Sequence, residues 1–422
     1  MYKMMTPGPS QVRENVLLAR SRQFQNPDLD CDFVEYYHDT CKLYSSLLHT
    51  ENESLILGGE GILGLEAACA SLTEPGDRVL VLDNGVFGEG FKDFVSIYGG
   101  TPVLYTCDYS HPFDVNDLKA YLEKDHDFKY ATVVHCDTPS GMLNDIASIC
   151  PLLKSYGILT VVDSVAGMFG EDVRVDDWKI DLLCGGSQKA VSAPPGLTMV
   201  TLSADAKAAM ENRNTPIASF YANLLTFKGY YEAKWFPYTM PASDIYGLRT
   251  ALENIKADPQ ILERHAKVAA YTREAITSMG LQLYPACGYS NTVTTFEVPE
   301  GHTAEEILHK MRYDHNILLA GSFGCFAGKL IRKIVHICKE AYCLDRILIA
   351  GTGSFQNCSE ILHNTVSLLL DGCANYLSSC RIHRDLTGCV KCISMDDSLG
   401  VWSDCCRCFV CMYCLHNRIP LS

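Results

Sequence analysis

Short apolar runs recur through the first three-quarters of the chain, each closed by a turn of small residues. Between them lie stretches whose apolar positions fall three and four apart. Aliphatic and β-branched runs at 54–57, 78–82, 101–106, 130–135, 159–162, 180–184 and 197–202 have the length and content of buried strands. Helical spacing predicts helices at 32–48 (Phe33, Tyr36, Tyr37, Leu43, Leu47 and Leu48 on one face), after Gly61, from about residue 85, and at 115–123, 146–156, 204–212, 244–255 and 259–279. This alternation is the mark of βαβ units on a mostly parallel sheet. Past residue 280 it gives way to a smaller α+β region, with strands expected at 282–284 and 292–298 and a helix at 304–313.

Two strands organise the rest. The runs at 159–162 and 180–184 each end in a small-residue turn that carries one ionisable group, Asp163 in one and Lys189 in the other. Ligand-binding groups of an open α/β sheet gather at the carboxyl ends of its strands. An amine and a carboxylate there suit pyridoxal phosphate: the amine condenses with the aldehyde, and the carboxylate keeps the pyridine nitrogen protonated. Either residue alone would more often be a surface lysine or a helix-capping aspartate.

The segments VVDSVAG and GSQKAVSAPPG resemble the class V aminotransferases, most closely the alanine–glyoxylate and serine–pyruvate group, and the match begins at Thr6-Pro7-Gly8-Pro9. The resemblance implies a fold-type I pyridoxal-phosphate transferase, α/β, with a mostly parallel large domain and a smaller α+β C-terminal domain. The expected divisions are an N-terminal arm (1–20), a large cofactor-binding domain (21–255), a small domain (256–350) and a cysteine-rich tail (351–422). It also implies roles. Lys189 would hold pyridoxal 5′-phosphate and Asp163 its ring nitrogen, with Gln188 beside them. Phe87 would stack on the ring, Thr138 would bond its phenolic oxygen, and Gly8 would lie at the active-site mouth.

Glu60, Gly61 and Ile62 fall at the phosphate position, where a helix opening behind glycines offers free N–H groups. Relatives commonly have a serine at the place of Glu60. A carboxylate there repels a phosphate, so Glu60 is expected to turn outward and offer only its backbone. Thr239 would reach the phosphate of a partner subunit in a homodimer. Arg332 would grip the substrate's α-carboxylate through its planar fork.

Composition narrows the partners. The chain has 422 residues, 47% hydrophobic and 20% charged, which suits a soluble globular protein of two packed domains. A formal net charge of −15 argues against nucleic-acid or anionic-membrane partners. No apolar run approaches a membrane span, and MYKMMTPGPS lacks a signal-like apolar core, so a cytoplasmic location is expected. Of 21 cysteines, nine are scattered before residue 330 and twelve lie between Cys338 and Cys414.

After Arg332 the resemblance frays: Lys333 looks inserted, and only 344–350 suggests a final helix. The pairs Cys389/Cys392 and Cys405/Cys408 have a zinc-like spacing, extended by Cys411 and Cys414. That region is apolar and poor in knuckle turns, so no metal is expected, and the tail is expected to be poorly ordered and unimportant for catalysis.

The activity expected is transfer of an amino group from alanine or serine to a 2-oxo acid such as glyoxylate or pyruvate. Alternatives are an aminophosphonate–pyruvate transaminase, suggested by the Gly-Gly-x-Gly and Asp-Asn-Gly segments, and a cofactor-binding protein without turnover. Cysteine desulfuration is disfavoured because Gln188 stands where those relatives have a histidine.

Overall fold

The computed structural model describes residues 2–23, 25–334, 382–384 and 390–392. Residues 1–342 form one compact unit and 343–422 a second. The described part of the second is a two-stranded antiparallel ladder, Ile382–Arg384 with Val390–Cys392. The zinc-like cysteine pairs, apart from the backbone of Cys392, and the helix expected at 344–350 lie outside the described residues.

The first unit is built on a seven-stranded sheet. Its strands are β1 (Glu53–Gly58), β2 (Arg78–Asp83), β3 (Thr101–Thr106), β4 (Tyr130–Val134), β5 (Leu159–Asp163), β6 (Leu182–Gly186) and β7 (Leu197–Leu202), in the order β1-β7-β6-β5-β4-β2-β3. All pairs are parallel except those of β7, which runs against both neighbours. β4, β6 and β7 are buried along their whole length, as expected of strands covered on both faces. Val161, Val162, Leu182 and Leu183 are fully buried, each stabilising the fold by about 1.5–3 kcal/mol relative to an exposed side chain.

Helices α1 (Cys31–Leu47), α2 (Gly61–Leu72), α3 (Val86–Ile97) and α4 (Ile146–Ser155) pack around the sheet. α2 and α3 begin directly behind β1 and β2, so two helix N-termini open at the same edge where Asp163 ends β5. Register holds that edge level, with Val134 opposite Asp163 and Asp163 opposite Cys184.

Helices α5 (Ala242–Lys256) and α6 (Ile261–Ser278) lead to a three-stranded antiparallel sheet. Its strands β8 (Val293–Glu297), β9 (Ala320–Gly321) and β10 (Leu330–Ile334) lie in the order β8-β10-β9. Helix α7 (Ala304–His315) between them starts with a capping box, Thr303 and Glu306 each bonding the other's backbone. The strand expected at 282–284 is instead a single bridge, Leu283 to Phe296. Pro285 follows at once and has no N–H to extend the pairing.

Candidate active site

The loops at the carboxyl edge of the sheet bring together residues far apart in sequence. Asp163, the last residue of β5, is 5% exposed, and its Oδ1 accepts the Val165 N–H at 2.9 Å. Burial pushes its carboxyl up to about 7, against the pull of that N–H and of the Lys189 charge. Lys189 stands on the turn after β6. Burial lowers its pKa and the Arg332 charge lowers it further, while Asp163 and Glu60 oppose the shift. An amine so placed loses its proton more readily, the state a nucleophile needs.

The N-terminal arm lies over this lysine. The Ser10 N–H donates to Gln188 O at 2.9 Å and the Ser10 hydroxyl to Lys189 O at 2.7 Å. Gly8, at φ +148°, comes so close that a Cβ there would stand 2.7 Å from Lys189 Nζ. The backbone conformation calls for glycine, and any side chain there would have to displace the Lys189 amine.

Sequence reasoning missed Asp137. It is fully buried, just beyond the end of β4 in the turn that carries Thr138. Its carboxylate accepts the Phe87 N–H at 3.2 Å, the Ser140 N–H at 3.1 Å and the Ser140 hydroxyl at 2.6 Å. A Cβ on Gly85 would meet it at 2.5–2.8 Å, so the glycine lets this carboxylate cap the start of α3. Phe87 is thereby fixed against the Thr138 turn. A carboxylate in the turn closing an apolar strand was the available signal.

Arg332, on β10, reaches the same place from the small sheet. It is 9% exposed and bonds only carbonyls: Gly321 O through Nε and Nη2 at 3.0 and 2.7 Å, and Thr138 O through Nη1 at 3.5 Å. Among the described residues no carboxylate forms an ion pair with it. Its guanidinium carbon stands 5.0 Å over the Phe323 ring, whose centroid is 5.7 Å from that of Phe87 in an edge-on contact. Phe323 thus links the residue expected to stack on the ring with the one expected to hold the substrate, and no pattern along the chain pointed to it.

Glu60 is exposed at the start of α2, yet it offers more than its backbone: it is the N-cap, its Oε1 accepting the Ile62 N–H at 3.1 Å and its Oε2 the Gln188 amide at 3.3 Å. A carboxylate at a helix N-terminus satisfies an otherwise free donor and faces the positive end of the dipole, so capping is favourable even at an exposed position. Thr239, expected to serve a partner subunit, is exposed and donates to Asp28 at 2.8 Å within its own chain. Near it Phe236 is buried among aromatic rings, and Tyr238 stacks on Tyr221 at 4.5 Å.

The ring half of pyridoxal phosphate therefore matches the residues present: an amine, a carboxylate, an aromatic and a hydroxyl around one buried edge. The phosphate half does not, because Glu60 already takes the Ile62 N–H and sets a negative charge beside it. No cluster of three or more metal-ligating side chains occurs among the described residues. No described helix is long and apolar enough to cross a membrane.

Comparison with known proteins gives the same direction. The family described as aminotransferase class-V matches residues 32–325. A pyridoxamine–pyruvate transaminase of Mesorhizobium japonicum is 32% identical over 333 residues, 78% of this chain and 84% of the relative. An alanine–glyoxylate aminotransferase of Felis catus is 29% identical over 372 residues, 85% of this chain and 88% of the relative. Among solved structures, the ureidoglycine–glyoxylate aminotransferase of Bacillus subtilis superposes with a TM-score of 0.81 at 27% identity, over 88% of this chain and 98% of that one.

Proposed function

The chain belongs to the class-V aminotransferase family, a family of pyridoxal-phosphate-dependent transaminases, and on that footing we propose that it moves an amino group from a small amino acid to a 2-oxo acid such as glyoxylate or pyruvate. Alanine or serine is the donor we infer. The observation that carries the reading is the meeting of Lys189 and Asp163 at one buried sheet edge, where the Arg332 charge also acts on Lys189 and no carboxylate among the described residues is ion-paired to Arg332.

The bound cofactor supplies a protonated ring that accepts electrons from the substrate's Cα. Asp163 would face the ring nitrogen and hold its proton. Phe87 would cover one face and keep water off it. Thr138 would bond the phenolic oxygen, and Gln188 and Gly8 would line the lysine's path. Lys189 would take the proton from the substrate's Cα and return it one carbon away, acting first as base and then as acid. Arg332 would bind the α-carboxylate bidentately and so fix which Cα bond stands perpendicular to the ring. The N–H groups of Gly61 and Ile62 would serve a phosphate only after Glu60 moved aside.

We assign residues 21–255 to the large domain and the described residues 256–334 to the small one that carries Arg332. We also propose a homodimer, supported by the exposed aromatic side chains Phe220, Tyr221 and Trp235 near Thr239. A cytoplasmic location accords with the nine cysteines before residue 330, all of which are free thiols. The reading without turnover rested on a displaced Arg332; its ladder partners Thr295 and Ala320 keep it in the sheet, which favours catalysis.

The test is a half-reaction. Mixing the ring-loaded protein with L-alanine should convert its absorbance to that of the aminated ring and release pyruvate. A panel of donors and acceptors then ranks substrates. Loading without any conversion by alanine, serine or an aminophosphonate would leave a binding protein in place of a transaminase.

A further inference from the structure

At the N-terminus of α2 the site carries a carboxylate where an anion would otherwise sit. It belongs to Glu60, with one oxygen on the Ile62 N–H and the other on the Gln188 amide nitrogen. Gln188 is 7% exposed, and its Oε1 is buried with no hydrogen-bond partner among the described residues. That oxygen lies against the sheet edge, where a Cβ on Gly186 would meet it at 2.9 Å and Gly61 Cα at 3.5 Å. No described lysine or arginine forms an ion pair with Glu60, and Thr239 is bonded to Asp28. A phosphate is acceptor-only and doubly charged near neutrality, so it meets the exposed Glu60 carboxylate as a like charge. An alcohol finds the reverse: its O–H can donate to Glu60.

We propose that Glu60 makes this pocket a selector for the unphosphorylated ring, so that pyridoxamine and pyridoxal, with their 5′-hydroxymethyl group, are bound as substrate and product in preference to their 5′-phosphates. The inference rests on the transaminase reading above and deepens it by naming the class of ring the site takes. The reaction is balanced without any external oxidant. Pyridoxamine gives its nitrogen to C2 of a 2-oxo acid, and one hydrogen of its C4′ passes through the Lys189 amine to the same carbon. The acid's carbonyl oxygen ends, by way of water, on C4′ of pyridoxal, and the acid leaves as an amino acid.

Glu60 is an N-cap, and serine is an equally good one, so Glu60→Ser keeps the α2 start while removing the charge. Glu60→Gln keeps the shape. Equilibrium dialysis of the full-length protein against pyridoxamine and against pyridoxamine 5′-phosphate measures the preference directly, free of aldehyde chemistry. The wild type should bind pyridoxamine more tightly by about tenfold or more, the scale of one partly screened like-charge contact. Both variants should shift the ratio toward the phosphate by a similar factor. Wild-type protein with pyridoxamine and pyruvate should also form pyridoxal and alanine in equal amounts. Tighter wild-type binding of the phosphate overturns the proposal, and so does a ratio that neither variant shifts. Borohydride trapping of pyridoxal followed by peptide mass analysis separates the two levels: no adduct on Lys189 with either aldehyde overturns the transaminase reading itself.

Discussion

Replacing Asp163 by asparagine tests whether this carboxyl, raised chiefly by burial, is protonated near neutrality in the ring-free protein. An ordinary aspartate ionises near 3.8, and Asp163 is pushed up to about 7. At ~1.4 kcal/mol per pH unit, that gap is worth about 4 kcal/mol. The folded chain keeps a proton between those values that the unfolded chain has lost. Stability therefore falls as pH rises from about 4 to about 7 and is flat above. The asparagine side chain of Asp163→Asn cannot ionise, yet its amide oxygen can still accept the Val165 N–H.

The variant should consequently gain on the wild type as pH rises, by roughly 2–3 kcal/mol between about pH 5 and about pH 8.5. Urea unfolding of the ring-free proteins at the two pH values measures it, taking the change in midpoint difference multiplied by a shared slope. All other titrating groups cancel in the comparison. A difference between variant and wild type that does not change with pH would refute the reasoning, because it would mean that Asp163 is already ionised at acid pH. The loaded variant should turn over slowly, since an amide cannot hold the ring nitrogen protonated by charge.

Lys189→Ala should abolish transamination together with the borohydride-reducible linkage; substantial remaining activity would remove Lys189 from the site. Arg332→Ala should weaken α-carboxylate substrates by roughly 2–5 kcal/mol, the usual cost of truncating a buried hydrogen-bonded charge, and an unchanged kcat and KM in steady-state assays would show that the guanidinium binds no substrate. Gly8→Ala puts a methyl group against Lys189 at a φ that alanine rarely adopts, so ring loading followed by absorbance should slow or fail while the fold, read by circular dichroism, persists. Normal loading would mean that the arm is free to lift. Sedimentation should give a dimer; a fully active monomer would remove the partner's role proposed for Thr239.

Glu60 and Gln188 show how one position changes what a pocket admits. The glycine turn after β1 and the helix behind it suit any anion, and the chemistry of residue 60 decides whether one is already there. Asp137 works in a comparable way at the start of α3, where its carboxylate ties the Phe87 backbone to the turn carrying Thr138. Both carboxylates cap helices, Asp137 from a fully buried position and Glu60 from an exposed one.

The sequence by itself determined the strands, most of the helices and the residues that end them, because each depends on a few neighbours along the chain. Apolar runs closed by small residues became β1 to β7, and Asp163 and Lys189 could be read at the ends of β5 and β6. The direction of β7 could not, since a run buried on both faces looks the same whichever way it points. Tertiary structure decided the rest through contacts between distant segments. Thr138 and Arg332 meet across 194 residues, and Glu60 and Gln188 across 128. Phe323 acquires a place only when β10 sets Arg332 beneath it. A glutamate before a helix can cap from an exposed position on local grounds alone, but only folding brings the Gln188 amide within hydrogen-bond reach of its second oxygen.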